Sequence, residues 1–444
     1  MFMKPNLKLR CGFSLVELLV AMAIIIFMLS IMSQAFVIAT TCMQGMKTVG
    51  ELVDRTRPVL TLMQKDLSAD HFDGTKKLSD ANFWDYGPPK EGYFSILQGG
   101  VSETESKSTD AVKYYISNSS NAYDPTKSNH ALAFSSRLNG KSPTDFYSAE
   151  FPSSSTVSSV MYQIFNYPAS PTAANLNLMK MLNSKRFDFV PGTVHAKWAE
   201  IAYFIRPNGQ VIKADPSQPT LQDLPLHDLY RQQRILLPDV ADMNRQSYPG
   251  SQSPLFYEYS HYVDPVSGKL IFNQPSDLTA PWKRFGNRGA PPLALPNFKT
   301  YSDPTYLTSA LVNYSDLVLP NVISFDVRVL TDQQLDFVHL SENNTNFGGY
   351  ANLNTGMLNN PVSWAIFDTW TTERSQDPNR NYDLGDLSNG TWRPSSVPPT
   401  SFTYIPFWNT GMQKGPRINA IQITIRVWDE KSSLAKDFIL IQKI

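Results

Sequence analysis

The chain has 444 residues, of which 42% are hydrophobic and only 18% charged, and its 39 basic and 39 acidic side chains leave a formal net charge of zero. That balance offers no basic surface for nucleic acid and no acidic tail, while 12% aromatic residues argue against a disordered polymer despite 32 prolines. Both cysteines, Cys11 and Cys42, lie near the N-terminus, so neither a disulfide framework nor a cysteine-zinc module organises the rest of the chain.

The first element is a short basic segment, residues 1–12, carrying Lys4, Lys8 and Arg10. From Phe13 to Ala39 there follow 27 residues with one ionisable group, Glu17. A run of about 18 or more apolar residues is a candidate membrane span, and an acid inside one is costly enough to require a purpose. A cleavable secretory signal would have Ser33-Gln34-Ala35 as its cleavage site, but the apolar run exceeds the roughly 7–15 residues of such signals. A lipoprotein signal would need a lipobox. Ala39-Thr40-Thr41 before Cys42 is a poor one, and Arg10 before Cys11 has no apolar stretch upstream. A plain signal anchor accounts for the length but for neither Gly12 nor Glu17.

Gly12-Phe13-Ser14-Leu15-Val16-Glu17 accounts for all of these residues. It resembles the type IV prepilin cleavage and methylation signal. The resemblance implies cutting between Gly12 and Phe13 by a prepilin peptidase, N-methylation of Phe13, and Glu17 as the fifth residue of the mature chain. Glu17 in the second helical turn would complement the positive dipole end of its own helix. It would also pair with the cationic Phe13 amine of a neighbouring pilin-like subunit. Lys4, Lys8 and Arg10 ahead of the span place the N-terminus in the cytoplasm by the positive-inside rule. The head then lies beyond the bacterial inner membrane, in the periplasm. Removing the leader leaves 36 basic and 39 acidic residues, a formal net of −3.

Residues 40–70 continue the helix, with Leu52, Val59, Leu60, Met63 and Leu67 at helical spacing. Phe13 to Arg57 would measure about 68 Å as one helix. Pro58 is expected to kink it, and two helices joined near Gly50 are the alternative. After Asp70 the pattern turns to strands. Trp198–Ile205 and Gln210–Lys213 flank Asn208-Gly209, which predicts a hairpin. Val322–Leu330 alternates, with Ile323, Phe325, Val327 and Val329 against Ser324, Asp326 and Arg328. Ile418–Trp428 alternates likewise, and Asp437–Gln442 closes a hairpin on it. Val112–Ser117 and Ala131–Ser135 are shorter candidates. Between them, residues 68–110, 118–195, 240–320 and 341–417 are rich in Ser, Asn, Pro and Tyr and read as insertions into the sheet.

The run of strand, Asn208-Gly209, strand, Leu229-Tyr230-Arg231, Asn321–Arg328 and Ile418–Asp429 is similar to J-type minor pseudopilins of type II secretion. The whole chain is most similar to the Verru_Chthon cassette protein C family, which pairs the same leader with a large head. The expected architecture is thus α+β and pilin-like. Residues 1–12 are a leader, 13–39 the membrane helix, 40–70 its extension, and 71–444 a β-rich extracytoplasmic head carrying large insertions on an antiparallel sheet.

Signals for chemistry are weak. No phosphate loop, nucleophile elbow or HExxH motif occurs. His71, His130, His195, His227, His261 and His339 are scattered without ligand spacing and read as core or surface residues. His227-Asp228 and Arg231 read as an amphipathic segment entering a strand. Asp377, Asp383 and Asp386, with Asn379, Asn381 and Gly385, depart from the EF-hand spacing, so no metal and no cofactor are expected. Trp364, Phe367, Trp370, Trp392, Phe402, Tyr404, Phe407 and Trp408 read as packing or a subunit interface, with a glycan platform as the alternative. Assembly into a pilus-like or secretion-like structure, rather than catalysis, is the expected work. The size of the head suggests a minor or tip subunit. A signal-anchored binding module is the competing reading.

Overall fold

The structure, a computed structural model, describes residues 14–74, 76–83, 89–98, 130–141, 145–150, 193–213, 223–237, 248–249, 257–263, 269–279, 283–284, 315–332, 335–339, 365–369, 385–386, 393–394, 417–431 and 434–444. Two compact units emerge, one of Met1–Arg55 with Asp429–Ser433 and one of Thr56–Trp428 with Leu434–Ile444.

The one α-helix among the described residues, α1, is Leu15–Ser68 and contains Pro58. It is one element, not two joined near Gly50. Its first part is apolar on every side, and no part of the most hydrophobic window is buried. Where this part turns polar, Thr40 Oγ1 donates to Phe36 O at 2.7 Å and Thr41 Oγ1 to Val37 O at 2.8 Å, so these hydroxyls are satisfied within the helix. In the first unit, Lys431 Nζ donates to Glu51 Oε2 at 2.8 Å.

In the second unit the helix becomes one-sided. Thr56, Val59, Met63 and the adjacent pair Asp66 and Leu67 are buried, recurring every three or four residues. Leu60 is only half-buried.

The strands are β1 (Phe94–Gln98), β2 (Ala131–Arg137), β3 (Tyr147–Glu150), β4 (Thr193–Ala196), β5 (Trp198–Ile212), β6 (Leu224–Ile235), β7 (Tyr248–Pro249), β8 (His261–Val263), β9 (Lys269–Phe272), β10 (Asp316–Thr331), β11 (Ala365–Asp368), β12 (Gly385–Asp386), β13 (Arg393–Pro394), β14 (Ile418–Asp429) and β15 (Leu434–Lys443). Eight form one sheet in the order β11-β1-β2-β5-β6-β10-β14-β15. Its pairings from β11 to β14 are antiparallel.

The alternation in the sequence sets the core. Phe325, Val327 and Val329 of β10 and Ile421, Ile423 and Ile425 of β14 are fully buried, and each faces its partner in register. β5 differs, because Trp198–Arg206 is buried at every position. Both faces of this central strand are therefore covered. Tyr203 meets the end of α1 on one face. Ala202 and Phe204 join Tyr93, Leu236 and Leu278 in a second core on the other.

The expected hairpin at Asn208-Gly209 is not formed. β5 runs through both residues as a bulge, with the β6 register shifting between Pro207 and Val211. Asn208 Oδ1 accepts the Gln210 N–H at 2.9 Å, and Gly209 adopts a φ of 82°. This local turn absorbs the extra residues, and the strand then resumes against Pro225 and Leu224. Asn208 Nδ2 donates to Asp228 Oδ1 of β6 at 3.0 Å and to Asn321 Oδ1 of β10 at 3.2 Å. Asn321 itself has a φ of 58° within the β10 irregularity. The strong turn signal thus serves a polar tie across three strands.

Gly92 precedes β1 with a φ of 78°, and a Cβ there would strike the His71 carbonyl and Ser135 Oγ. Its amide donates to Pro275 O at 2.9 Å. Gly92→Ala is expected to destabilise the chain by roughly 2–4 kcal/mol through left-handed strain plus overpacking. Urea unfolding of the detergent-solubilised protein measures this. A loss below about 1 kcal/mol would contradict so close an approach.

Candidate functional site

The candidate site begins at the N-terminus of α1. Glu17 lies in the first helical turn, not the second, and the capping bonds it makes there were not foreseen. Ser14 N–H donates to Glu17 Oε2 at 3.0 Å, Glu17 N–H donates to Ser14 Oγ at 3.2 Å, and Ser14 O accepts the Leu18 N–H at 3.2 Å. This is a reciprocal capping box, with Ser14 as N-cap and Glu17 as the third helical residue. Its signal, Ser-x-x-Glu ahead of an apolar run, is legible at residues 14–17. The cap matters most in lipid, where no water can satisfy the first amides. A carboxylate has about four lone-pair sites, so a capping Glu17 keeps acceptor capacity for a neighbour's amine. Lys4, Lys8, Arg10, Gly12 and Phe13 lie outside the described residues.

Beyond Ser14, the helix presents a fully apolar surface. Leu15, Met32, Phe36 and Ile38 are each exposed to more than 65%. This is the one helix among the described residues long and apolar enough to cross a membrane. A soluble surface rarely exposes so large an apolar patch.

At its other end, α1 is tied to the sheet by a buried charge. Asp66 accepts Arg231 Nε at 2.7 Å and Arg231 Nη2 at 3.1 Å, a two-pronged pair between side chains only 3% and 8% exposed. Tyr203 OH donates to the same carboxylate at 2.6 Å. Burial works against the Arg231 charge, but the Asp66 hydrogen bonds and attraction outweigh it and hold the guanidinium above its usual range. Burial, and then the Asp66 charge, push the Tyr203 phenol up, so it stays a donor. β6 pairs in register with both β5 and β10, which aims Arg231 at the helix. Of the residues read as an amphipathic segment, Asp228 ties the bulges together and Arg231 anchors α1.

His227 of the same strand is buried and hydrogen-bonded to the Val322 backbone. Desolvation lowers its pKa to about 4, outweighing that bond. An unfolded imidazole takes its proton near 6.5. Between those values the unfolded chain binds more protons, so stability falls as pH drops. Acidification from pH 7 to pH 4 is expected to remove roughly 3 kcal/mol through this group. His227→Gln should flatten that part of the profile in urea titrations at stepped pH, and an unchanged slope would contradict the assignment.

The histidines are not as scattered as their sequence spacing suggests. Five are buried and His195 is half-buried. His71 packs edge-on against Phe94 and Phe134, with Nδ1 2.7 Å from Ser135 O. His130 and His339 meet at one carboxylate. Asp326 Oδ1 lies 3.2 Å from His130 Nδ1 and 2.7 Å from His339 Nε2, while Oδ2 accepts Arg328 Nε at 2.9 Å. Burial would raise the Asp326 carboxyl, but the His339 hydrogen bond, with the two nearby imidazoles and the Arg328 charge, holds it well below the carboxylate range. Sequence separation hid this cluster, since its members come from three separate stretches of chain.

Phe367 is buried in β11. Trp364, Trp370, Trp392, Phe402, Tyr404, Phe407 and Trp408 lie outside the described residues, as do Asp377, Asn379, Asn381, Asp383 and Val112–Ser117.

A family model described as the prokaryotic N-terminal methylation motif matches residues 7–33. No curated protein and no solved structure matches the chain. The match covers the second half of the basic segment with Lys8 and Arg10, the Gly12–Glu17 signal and most of the apolar span. Together with the unburied helix and the antiparallel sheet, it supports a membrane-anchored, type IV pilin-like protein that is processed by prepilin peptidase and assembles with other pilin subunits.

Proposed function

We propose that the chain is a non-catalytic minor or tip subunit of a pilus-like or type II secretion-like assembly. The helix waits in the inner membrane with Lys4, Lys8 and Arg10 on the cytoplasmic side and the head in the periplasm. Prepilin peptidase cuts between Gly12 and Phe13 and methylates the new Phe13 amine. The mature helix then packs among the helices of neighbouring subunits, where Glu17 meets a cationic N-terminus. The J-type order of the C-terminal strands favours a minor component. A bulky head repeats poorly along a thin filament, which favours the same place.

One observation carries this reading: a processing signal sits directly ahead of a helix whose apolar surface has no cover. Ser14 caps that helix one residue inside the proposed cut, so cleavage leaves the capped end intact. Mass spectrometry of the protein from its native membrane tests it. The expected N-terminal peptide starts at an N-methylated Phe13. An intact Met1, or a terminus beyond Ala39, would overturn it.

A further inference from the structure

The edge of β10 carries an arrangement that the assembly reading does not use. β6 pairs with β10 only from Asp316 to Val322. Beyond that point the edge is closed piecemeal. His130 N–H donates to Phe325 O at 3.1 Å, Val327 N–H donates to His130 Nδ1 at 2.9 Å, and Val329 and Val338 exchange backbone bonds of 2.9 and 3.0 Å. These contacts bring His130 and His339 to either side of Asp326, with their rings 5.5 Å apart and nearly perpendicular. The two imidazoles are 1% and 4% exposed and the carboxylate 18%.

The hydrogen bonds pose an electrostatic problem. A His130 Nδ1 that accepts the Val327 N–H carries a lone pair there, not a proton. Its 3.2 Å approach to Asp326 Oδ1 then sets two acceptors against each other. A cation between them removes the repulsion. We propose that His130 Nδ1, Asp326 Oδ1 and His339 Nε2 form a binding site for one divalent transition-metal ion of the zinc class.

Three observations favour that ion. The three ligand atoms all lie within 4.8 Å of one another. Metal–ligand bonds of about 2.0–2.1 Å in a tetrahedral site place the ligand atoms about 3.3 Å apart. The His130–Asp326 separation already fits, and the 2.7 Å His339–Asp326 contact need open by only about half an ångström. Two imidazole nitrogens with one carboxylate suit zinc over calcium or magnesium, which prefer all-oxygen shells. Arg328 on Oδ2 holds the carboxylate from the outer shell. Binding exchanges the Val327 N–H···Nδ1 bond for a metal bond and leaves one position open to water. The ion would clamp the stretch before β2, strand β10 and the 335–339 segment together where β6 has left the edge.

Zinc titration of the untagged full-length protein in detergent, after stripping with EDTA, tests this. One equivalent of Zn2+ is expected per chain. His339→Ala should weaken binding at least ~100-fold and Arg328→Met about 10-fold, since outer-shell losses alone cost about 10–100-fold. His195→Ala, at a half-buried histidine outside this cluster, should bind as the parent does. Should His339→Ala fail to fold, the parent's melting temperature decides: a rise with Zn2+ that His195→Ala reproduces and Arg328→Met reduces supports the site. No binding by the parent, or equal binding by parent and His339→Ala, overturns it, and His130 and His339 are then partners of Asp326 through protons alone.

Discussion

Replacing Asp66 with alanine is expected to destabilise the chain by about 3–5 kcal/mol. The variant strands a buried guanidinium. Arg231 is 8% exposed, and its Nε and one Nη donate to the Asp66 carboxylate. Tyr203 OH loses the same acceptor. Gln233 Oε1 accepts from Arg231 Nη2 at 2.8 Å but supplies no charge. The cost comes from the unpaired cation more than from the bond itself, so a double change should be gentler than the single one. Asp66→Leu with Arg231→Met is expected to recover most of the loss, because apolar replacements of buried ion pairs are often neutral. Urea unfolding of the four proteins in the cycle measures the coupling. A loss below about 1 kcal/mol for Asp66→Ala would mean the pair behaves like a surface salt bridge. Asp66 lies within three residues of the end of α1, so this anchor fixes the register of the helix on the sheet.

Glu17→Ala is expected to leave cleavage after Gly12 intact and to reduce incorporation into assemblies at least ~10-fold, well within the roughly 3–5 kcal/mol carried by a buried pair. Two further variants separate the roles of this carboxylate. Ser14→Ala removes the cap but not the charge, and should cost about 1 kcal/mol of helix stability with assembly largely kept. Glu17→Gln keeps a capping acceptor, since glutamine also serves at this position, but removes the charge that a neighbour's amine requires. If Glu17→Gln assembles normally while Ser14→Ala does not, the carboxylate acts as a cap and not as an intersubunit partner. Quantitative immunoblotting of sheared surface fractions against total membrane protein provides the readout.

Local patterns were legible where one physical term dominates. The Phe13–Ala39 run needs no partner to be recognised as long and apolar enough to cross a membrane, because its hydropathy is a property of consecutive residues. The alternation in β10 and β14 reads directly as one buried and one half-exposed face. Asn208-Gly209 misled because the same backbone freedom serves a hairpin turn and a bulge. Which one forms depends on whether β6 continues alongside, and only the pairing of Val211 with Pro225 settles that.

The amino-acid order alone was enough for the anchor, the processing signal and the main strand alternations, because each is written in residues a few positions apart; the capping box is written as locally, in Ser14 and Glu17, but was missed. Strand order, the burial of β5 on both faces, the Asp66–Arg231–Tyr203 tie and the meeting of His130 with Asp326 and His339 are different. The last two join residues 137 to 209 positions apart, and no local preference encodes such a distance. Closing those loops costs entropy that only the assembled sheet and its buried side chains repay, so the folded chain alone decides which distant groups meet.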